Sequence, residues 1–414
     1  MNPFRSIAPR ALIALLFAVA LAAGCGGGGE GNDGPGVGGG GTGAPQSFSQ
    51  GPITGFGSII VNGVHYDDSG ASVTDDDGNA LSNTQSLRLG TEVEVHGGAI
   101  ANGVAPASSI VVHVDLLGPV TTGWNAATGR LSVLGQPVQV LPSTALDGFS
   151  GGAAAITPGK VVAVSSLYDK ASGVYVATRI DPAAGATRFA IRGAPSAVDA
   201  TAGTFTIGAQ AFTFNTASPP AGLAAGQLVR VVLATAADLR GRWVATTVGQ
   251  AAVVLPDGRF GVVEGVVSST TDATHFVVGG VQVDSSRAAV TPADAAVKVS
   301  SRVRVVGNIA GGTLVAGAVH VTAADDDQDD DDDQPGGSGG HGNDGRFEVD
   351  GSIMSLDAAH QTFTMRGPTT VSYALASFAG GKAADLKAGA FVEVRGDLSA
   401  DGSQVIATKI KFGR

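Results

Sequence analysis

The 414-residue chain carries 63 glycines, only 5% aromatic and 15% charged residues, and a formal charge of -11. Nine aspartates fall in residues 325–344, which hold no Lys or Arg, so the rest is nearly neutral and offers no electrostatic basis for binding nucleic acid. A single cysteine excludes any intrachain disulfide.

Residues 1–24 read as a signal peptide. Arg5 and Arg10 precede an apolar run from Ala11 to Ala23, too short to span a bilayer as a helix, and Gly24-Cys25 follows. Leu21-Ala-Ala-Gly-Cys25 resembles the lipobox of bacterial lipoproteins, with Ala22 at the third position before the cysteine. That resemblance implies acylation of Cys25, which becomes the mature N-terminus; an ordinary signal-peptidase cut is the alternative. Acyl chains contribute about 0.8 kcal/mol per buried CH₂, so several anchor a protein stably. Gly26 after the cysteine implies sorting to the outer membrane, facing the periplasm or the cell surface.

Residues 25–50 form a glycine-rich tether, a flexible coil spanning about 25–30 Å root-mean-square. Its G-x-G-x-x-G match at Gly36–Gly41 carries nothing, because that fingerprint must follow a strand and open a helix.

From residue 51 the chain repeats itself. An apolar-x-Gly opening recurs at Ile53/Gly55, Leu116/Gly118, Ile191/Gly193, Val263/Gly265 and Val349/Gly351. A strand running into a glycine turn follows in each copy. Asn62-Gly63 is the strongest example, since a type I′ hairpin needs positive φ at both central residues. Next comes L-x-x-G-x-x-V-x-V, as in Leu87/Gly90/Val93/Val95, with Val297/Ser300/Val303/Val305 the most divergent copy. A last phrase reads Val176-Ala-Thr178-Arg-Ile180, Val244-Ala-Thr246-Thr-Val248, Val315-Ala-Gly317-Ala-Val319 and Ile406-Ala-Thr408-Lys-Ile410, with a degenerate Pro106-Ala-Ser108-Ser-Ile110. Alternating apolar and polar positions make that phrase a period-2 strand with one buried face.

Successive L-x-x-G phrases lie 69, 67, 74 and 89 residues apart, and the long last step holds the acidic insert. The spacing predicts five β-barrel repeats at 51–114, 115–187, 188–255, 256–322 and 346–412, with a disordered acidic and glycine-rich linker at 323–345. The fold class is all-β, a tandem array of small OB-like five-stranded barrels whose closure removes edge strands; open sheets stacked as β-sandwiches are second. The loop before each L-x-x-G phrase lies where an OB-fold carries its helix. Domains this small are marginal alone, so contacts between successive barrels are expected. Five in line would reach on the order of 120 Å.

With the lipobox and tether before them, the paired phrases look like a proteobacterial lipoprotein family built from tandem copies of a domain of unknown function, number 5666. The resemblance implies architecture and location; the family carries no assigned activity and supplies no catalytic residue.

No catalytic constellation stands out, and no cofactor is implied. Gly336-Gly-Ser338-Gly-Gly340 matches G-x-S-x-G but lacks the strand and helix that a nucleophile elbow needs. Seven histidines include no H-x-x-x-H pair; His96 and His113 read as solvent-facing residues on the last two strands of the first barrel, with a pair facing each other across those strands the alternative. Asp325, Asp326, Asp327, Asp329, Asp330, Asp331, Asp332 and Asp333 read as a solvated linker, with loose Ca²⁺ capture the functional alternative. Asp67, Asp68 and Asp75-Asp-Asp77-Gly78 add carboxylates to that alternative, but the last stretch lacks EF-hand spacing, with Val73 at the first ligand position, and reads as a turn between strands. Trp124 and Trp243 read as rim or core packing rather than a sugar platform. The expected role is a non-enzymatic binding or spacer module of the cell envelope, with an envelope protein or glycan as partner. A glycan-binding lipoprotein or a weak calcium-binding surface protein are the alternatives.

Overall fold

The computed structural model describes residues 46–82, 86–251, 253–322, 346–367 and 369–413. The signal peptide, Cys25, the glycine run, the G-x-S-x-G match and the acidic insert lie outside them. Among the described residues no helix is long and apolar enough to cross a membrane.

The first copy contributes β1 (Ser47–Phe56), β2 (Ile59–Val61), β3 (Val64–Asp67), β4 (Ser72–Asp75), β5 (Glu92–Gly97) and β6 (Val104–His113). β1 pairs antiparallel with β2 and β5, β2 with β3 and β5 with β6, while β3 meets β6 in parallel. The circuit β1-β2-β3-β6-β5-β1 is closed, in the strand order of an OB barrel. The second copy closes in the same way through β7 (Leu116–Asn125), β8 (Arg130–Val133), β9 (Gln136–Ala145), β10 (Val161–Asp169) and β11 (Val174–Pro182).

In the third copy the first strand is split into β12 (Phe189–Gly193) and β13 (Pro195–Asp199). β14 (Thr204–Ile207), β15 (Gln210–Thr213), β16 (Val229–Ala237) and β17 (Trp243–Gln250) complete its circuit. The fourth uses β18 (Phe260–Thr270), β19 (His275–Val278), β20 (Val281–Asp284), β21 (Ala289–Thr291), β22 (Arg302–Ala310) and β23 (Thr313–Thr322). The fifth uses β24 (Arg346–Ser352), β25 (Ser355–Asp357), β26 (Thr362–Met365), β27 (Thr369–Ser372), β28 (Ser377–Ala379), β29 (Phe391–Leu398) and β30 (Val405–Phe412). At the expected helix position the second and fifth barrels hold short 3-10 turns, Gly152–Ala155 and Ala383–Asp385.

The recurring phrases have backbone causes. The fourth residue of L-x-x-G sits at φ 77, 87, 78, 68 and 83° in Gly90, Gly159, Gly226, Ser300 and Gly389. That left-handed turn costs an L-residue a clash between Cβ and its own backbone, which is why glycine recurs there. The two valines that follow are fully buried in every copy.

The V-A-T phrase is not the simple alternation expected. Its third residue (Ser108, Thr178, Thr246, Gly317 or Thr408) is the extra residue of a β-bulge against the preceding strand. A bulge reverses the facing of all that follows. The inward positions are therefore the second and fifth, as in Ala177 and Ile180 or Ala407 and Ile410, and not the first, third and fifth. In four copies the bulge hydroxyl donates to a carbonyl of the neighbouring strand: Ser108 to His96 at 2.8 Å, Thr178 to Ser165 at 3.1 Å, Thr246 to Val232 at 3.1 Å and Thr408 to Arg395 at 3.0 Å. The hydroxyl satisfies an acceptor where the bulge interrupts the ladder.

The barrels do not stand in line, and their contacts are not confined to successive copies. β1 begins at Ser47, inside the stretch read as tether, and is shared among three barrels. Residues 47–50 pair with β5 on one side and run parallel to β18 on the other, placing Phe48 in the fourth barrel's core. At its far end Gly55 and Phe56 run parallel to β24. The first and fifth barrels share one hydrophobic core, as do the second and third through β7 and β12. An in-line reach of about 120 Å is therefore excluded; the array is folded back on its first member. The sequence hides this because the contacts are made by residues that differ from copy to copy.

Candidate functional site

The hairpin tips between the second and third strands point into these interfaces. Asn62 and Gly63 adopt φ 54 and 72°, as expected for type I′. The buried Asn62 side chain donates to the Gln50 carbonyl at 2.8 Å and to the Val262 carbonyl at 3.3 Å, and Arg304 donates to the Asn62 carbonyl. The equivalent tip of the fourth barrel, Gly279-Gly280, receives the Gln50 amide, whose Nε2 donates to the Gly279 carbonyl at 3.2 Å.

Beside the Gly279-Gly280 tip four barrels line a cavity of about 140 Å³. Gln50 and Glu92 come from the first barrel, Ser166, Leu167, Tyr168 and Lys170 from the second, and Arg192 and Leu228 from the third. Glu264, Val266, Val277 and the glycine tip belong to the fourth, and Asp115 sits at the junction of the first and second. Isolated charges are rarely buried, yet Glu92, Asp115 and Glu264 are each at most 4% exposed and Arg192 is 7% exposed.

Each has a different settlement. Asp115 Oδ2 accepts from Ser166 Oγ at 2.6 Å and Ser166 N at 3.1 Å. Glu264 Oε1 accepts from Arg302 Nη2 at 2.6 Å and Nε at 3.0 Å. Arg192 Nη2 donates to the Ala251 carbonyl at 3.2 Å. Among the described residues Glu92 Oε2 has no hydrogen-bond partner, and neither has Gln50 Oε1. Burial pushes the Glu92 carboxyl well above the usual range; the charges of Asp115 and Glu264 add to that, against Arg192 and Arg302. Burial likewise raises Asp115, against Arg192 and the Ser166 hydroxyl.

The residues singled out from sequence fall elsewhere. His113 does not face His96 across the strands: His113 pairs with Glu92 and His96 with Ser109. Nor is His113 solvent-facing; it is 6% exposed, with Nδ1 2.6 Å from Asp76. His96 contacts Glu94 at 2.7 Å and Arg259 at 3.1 Å.

The Asp75–Gly78 turn is a turn, as expected, but its carboxylates are spent on the third barrel. Asp76 and Asp77 both pair with Arg230 at 3.0 Å, and Asp77 takes Arg188 at 2.7 Å. Asp67 accepts from its neighbour Ser69, and Asp68 is buried against Arg366 of the fifth barrel. Trp243 packs edge-on to Phe189 at 5.4 Å, and Trp124 lies against the same core. Among the described residues no group of three His, Cys, Asp or Glu is placed to hold a metal ion. Cys25 and Asp325–Asp333 lie outside the described residues.

Sequence reasoning passed over Gln50, Glu92, Asp115, Arg192 and Glu264. A signal was available in the openings Ile191-Arg192-Gly193 and Val263-Glu264-Gly265, where a charge stands inside a phrase that is otherwise apolar.

No curated protein matches the chain. A family model, Domain of unknown function (DUF5666), matches residues 50–111, 118–181, 264–320 and 350–411. The third copy is outside those matches but has the same circuit of strand pairings. Four matches over more than half the chain, each on a closed five-stranded barrel, make it a member of the DUF5666 family.

Proposed function

We propose that this chain is a non-enzymatic binding lipoprotein of the bacterial cell envelope, held in the outer membrane through acylated Cys25. The glycine-rich stretch serves as its tether and the barrel cluster as its binding head. The sequence around Cys25 supports the anchor: a basic start, a short apolar run and the only cysteine of the chain. The observation that carries the binding role is the four-barrel cavity with two buried acceptors lacking partners, a concave site with a few convergent polar groups. A cluster folded back on its first barrel also favours a binding head over a spacer, because spacing requires reach.

Two measurements test this. Metabolic labelling with an alkynyl fatty acid should mark the full chain in the membrane fraction, and Cys25→Ser should lose both label and membrane association. A thermal-shift screen of the purified chain, covering cationic, anionic, neutral and saccharide compounds, should find at least one class that raises the melting temperature. A chain that stays unlabelled, or that no class stabilises, overturns the corresponding half of the reading. Stabilisation by oligosaccharides alone would favour glycan binding on barrel faces.

A further inference from the structure

Resting on that reading of the cavity as a binding site, we infer that its ligand is a small organic cation, a protonated amine of about six non-hydrogen atoms. The size follows from the volume: about 140 Å³ is close to the engineered cavity of about 150 Å³ that holds benzene.

The charge follows from what is unsatisfied. Once Glu92 is ionised, both partnerless atoms, Gln50 Oε1 and Glu92 Oε2, are acceptors, so the ionised site lacks a donor. Neither can be served by rotating the amide, because Gln50 Nε2 is already committed to the Gly279 carbonyl. Of the nearby guanidiniums, Arg302 is held by Glu264, and Arg192 donates through Nη2 to the Ala251 carbonyl. Lys170, the remaining cation of the lining, is exposed. An ammonium in the cavity that both residues line supplies that donor and offsets part of the repulsion of an ionised Glu92 by Asp115 and Glu264, while Leu167, Leu228, Val266 and Val277 receive its hydrocarbon.

A neutral ligand would leave the Glu92 carboxyl to bind its own proton, and an anion would add a negative charge beside the buried Asp115 and Glu264. Since burial favours the protonated carboxyl, an ammonium that pairs with the carboxylate displaces a proton.

The test is calorimetric titration of the full chain at pH 8 with n-pentylamine, n-pentanol and butanoate, each of six non-hydrogen atoms. Pentylamine is expected to bind at a single site at least tenfold more tightly than pentanol, with butanoate weaker than either. Its heat should vary with the ionisation enthalpy of the buffer, reporting proton release. Glu92→Gln should lower amine affinity tenfold or more and abolish the buffer dependence. If pentanol binds as well as the amine, or butanoate better, the cation assignment falls and the cavity remains a binding site. If none of the three binds, the assignment falls as well, and the screen above decides separately whether the cavity binds anything. The comparison on the unmodified chain holds even if Glu92→Gln disturbs folding.

Discussion

Asp68 takes both arms of the Arg366 guanidinium although 298 residues separate them. The carboxylate is 1% exposed and the guanidinium 34% exposed, so the pair closes the seam between the first and fifth barrels from the first barrel's side.

Unequal burial makes the two halves of this pair unequal. Arg366→Met removes the cation from the deeper partner and should cost about 2–3 kcal/mol, somewhat below a fully buried pair. Asp68→Asn strands the shallower one and should cost about 1 kcal/mol. Urea unfolding of both variants decides it; equal costs would show that burial does not govern this contact.

Gly317 is the bulge residue that lacks a hydroxyl, and a Cβ built there meets only the Val306 carbonyl, at 3.9 Å. Gly317→Thr should therefore gain the hydrogen bond seen in the other copies and stabilise by about 0.5–1 kcal/mol. Thr178→Val, which keeps the shape and removes the donor, should destabilise by about 1 kcal/mol. Thermal unfolding of the two variants should move in opposite directions.

Ser300 occupies, at φ 68°, the turn position that is glycine in the other four copies. Ser300→Gly should stabilise by about 0.5–1 kcal/mol, and Gly159→Ala, at φ 87° with open space around it, should destabilise by about 1 kcal/mol. A loss on Ser300→Gly in denaturant titration would mean that unfolded-chain entropy outweighs the backbone strain.

Two buried carboxyls should respond oppositely to pH. Glu92 is raised above its ordinary 4.5, so the folded state holds its proton more tightly; stability is full below about pH 4.5 and lost as pH climbs through the folded value. Glu92→Gln should thus gain on the native chain from pH 4 to pH 8. Asp76 is lowered from 3.8 to about 2: burial alone would raise it, but the His113 hydrogen bond and charge, Arg230 and the Val114 N–H outweigh burial. Its contribution, about 2 kcal/mol, is present above pH 4 and lost as pH falls through 2, so Asp76→Asn should weaken the protein at pH 7 far more than at pH 2. Denaturation midpoints across pH 2–8 check both slopes.

The strands were legible because Val93, Val95 and their counterparts recur with fixed spacing around a glycine turn that the backbone demands. The phase of the V-A-T phrase was misread at Thr178 and its equivalents, since an alternating string looks alike with or without an inserted bulge. The packing of barrel on barrel was not legible. It rests on Gln50, Asn62, Asp68 and Arg366, single polar residues replaced by unlike residues at the matching positions of the other copies, whose partners lie up to 298 positions away. The cavity inherits that illegibility, being made where unlike copies meet.

Because β1 lends one margin to β18 and its far end to β24, the first segment of the head to be synthesised has neighbours that are made more than 200 residues later. Phe48 and the Gly55 backbone must then wait, uncovered, until the fourth and fifth copies arrive. Maturation of the cluster is thereby tied to completion of the polypeptide, and a truncated product would carry an apolar, unpaired margin of the kind that quality control recognises.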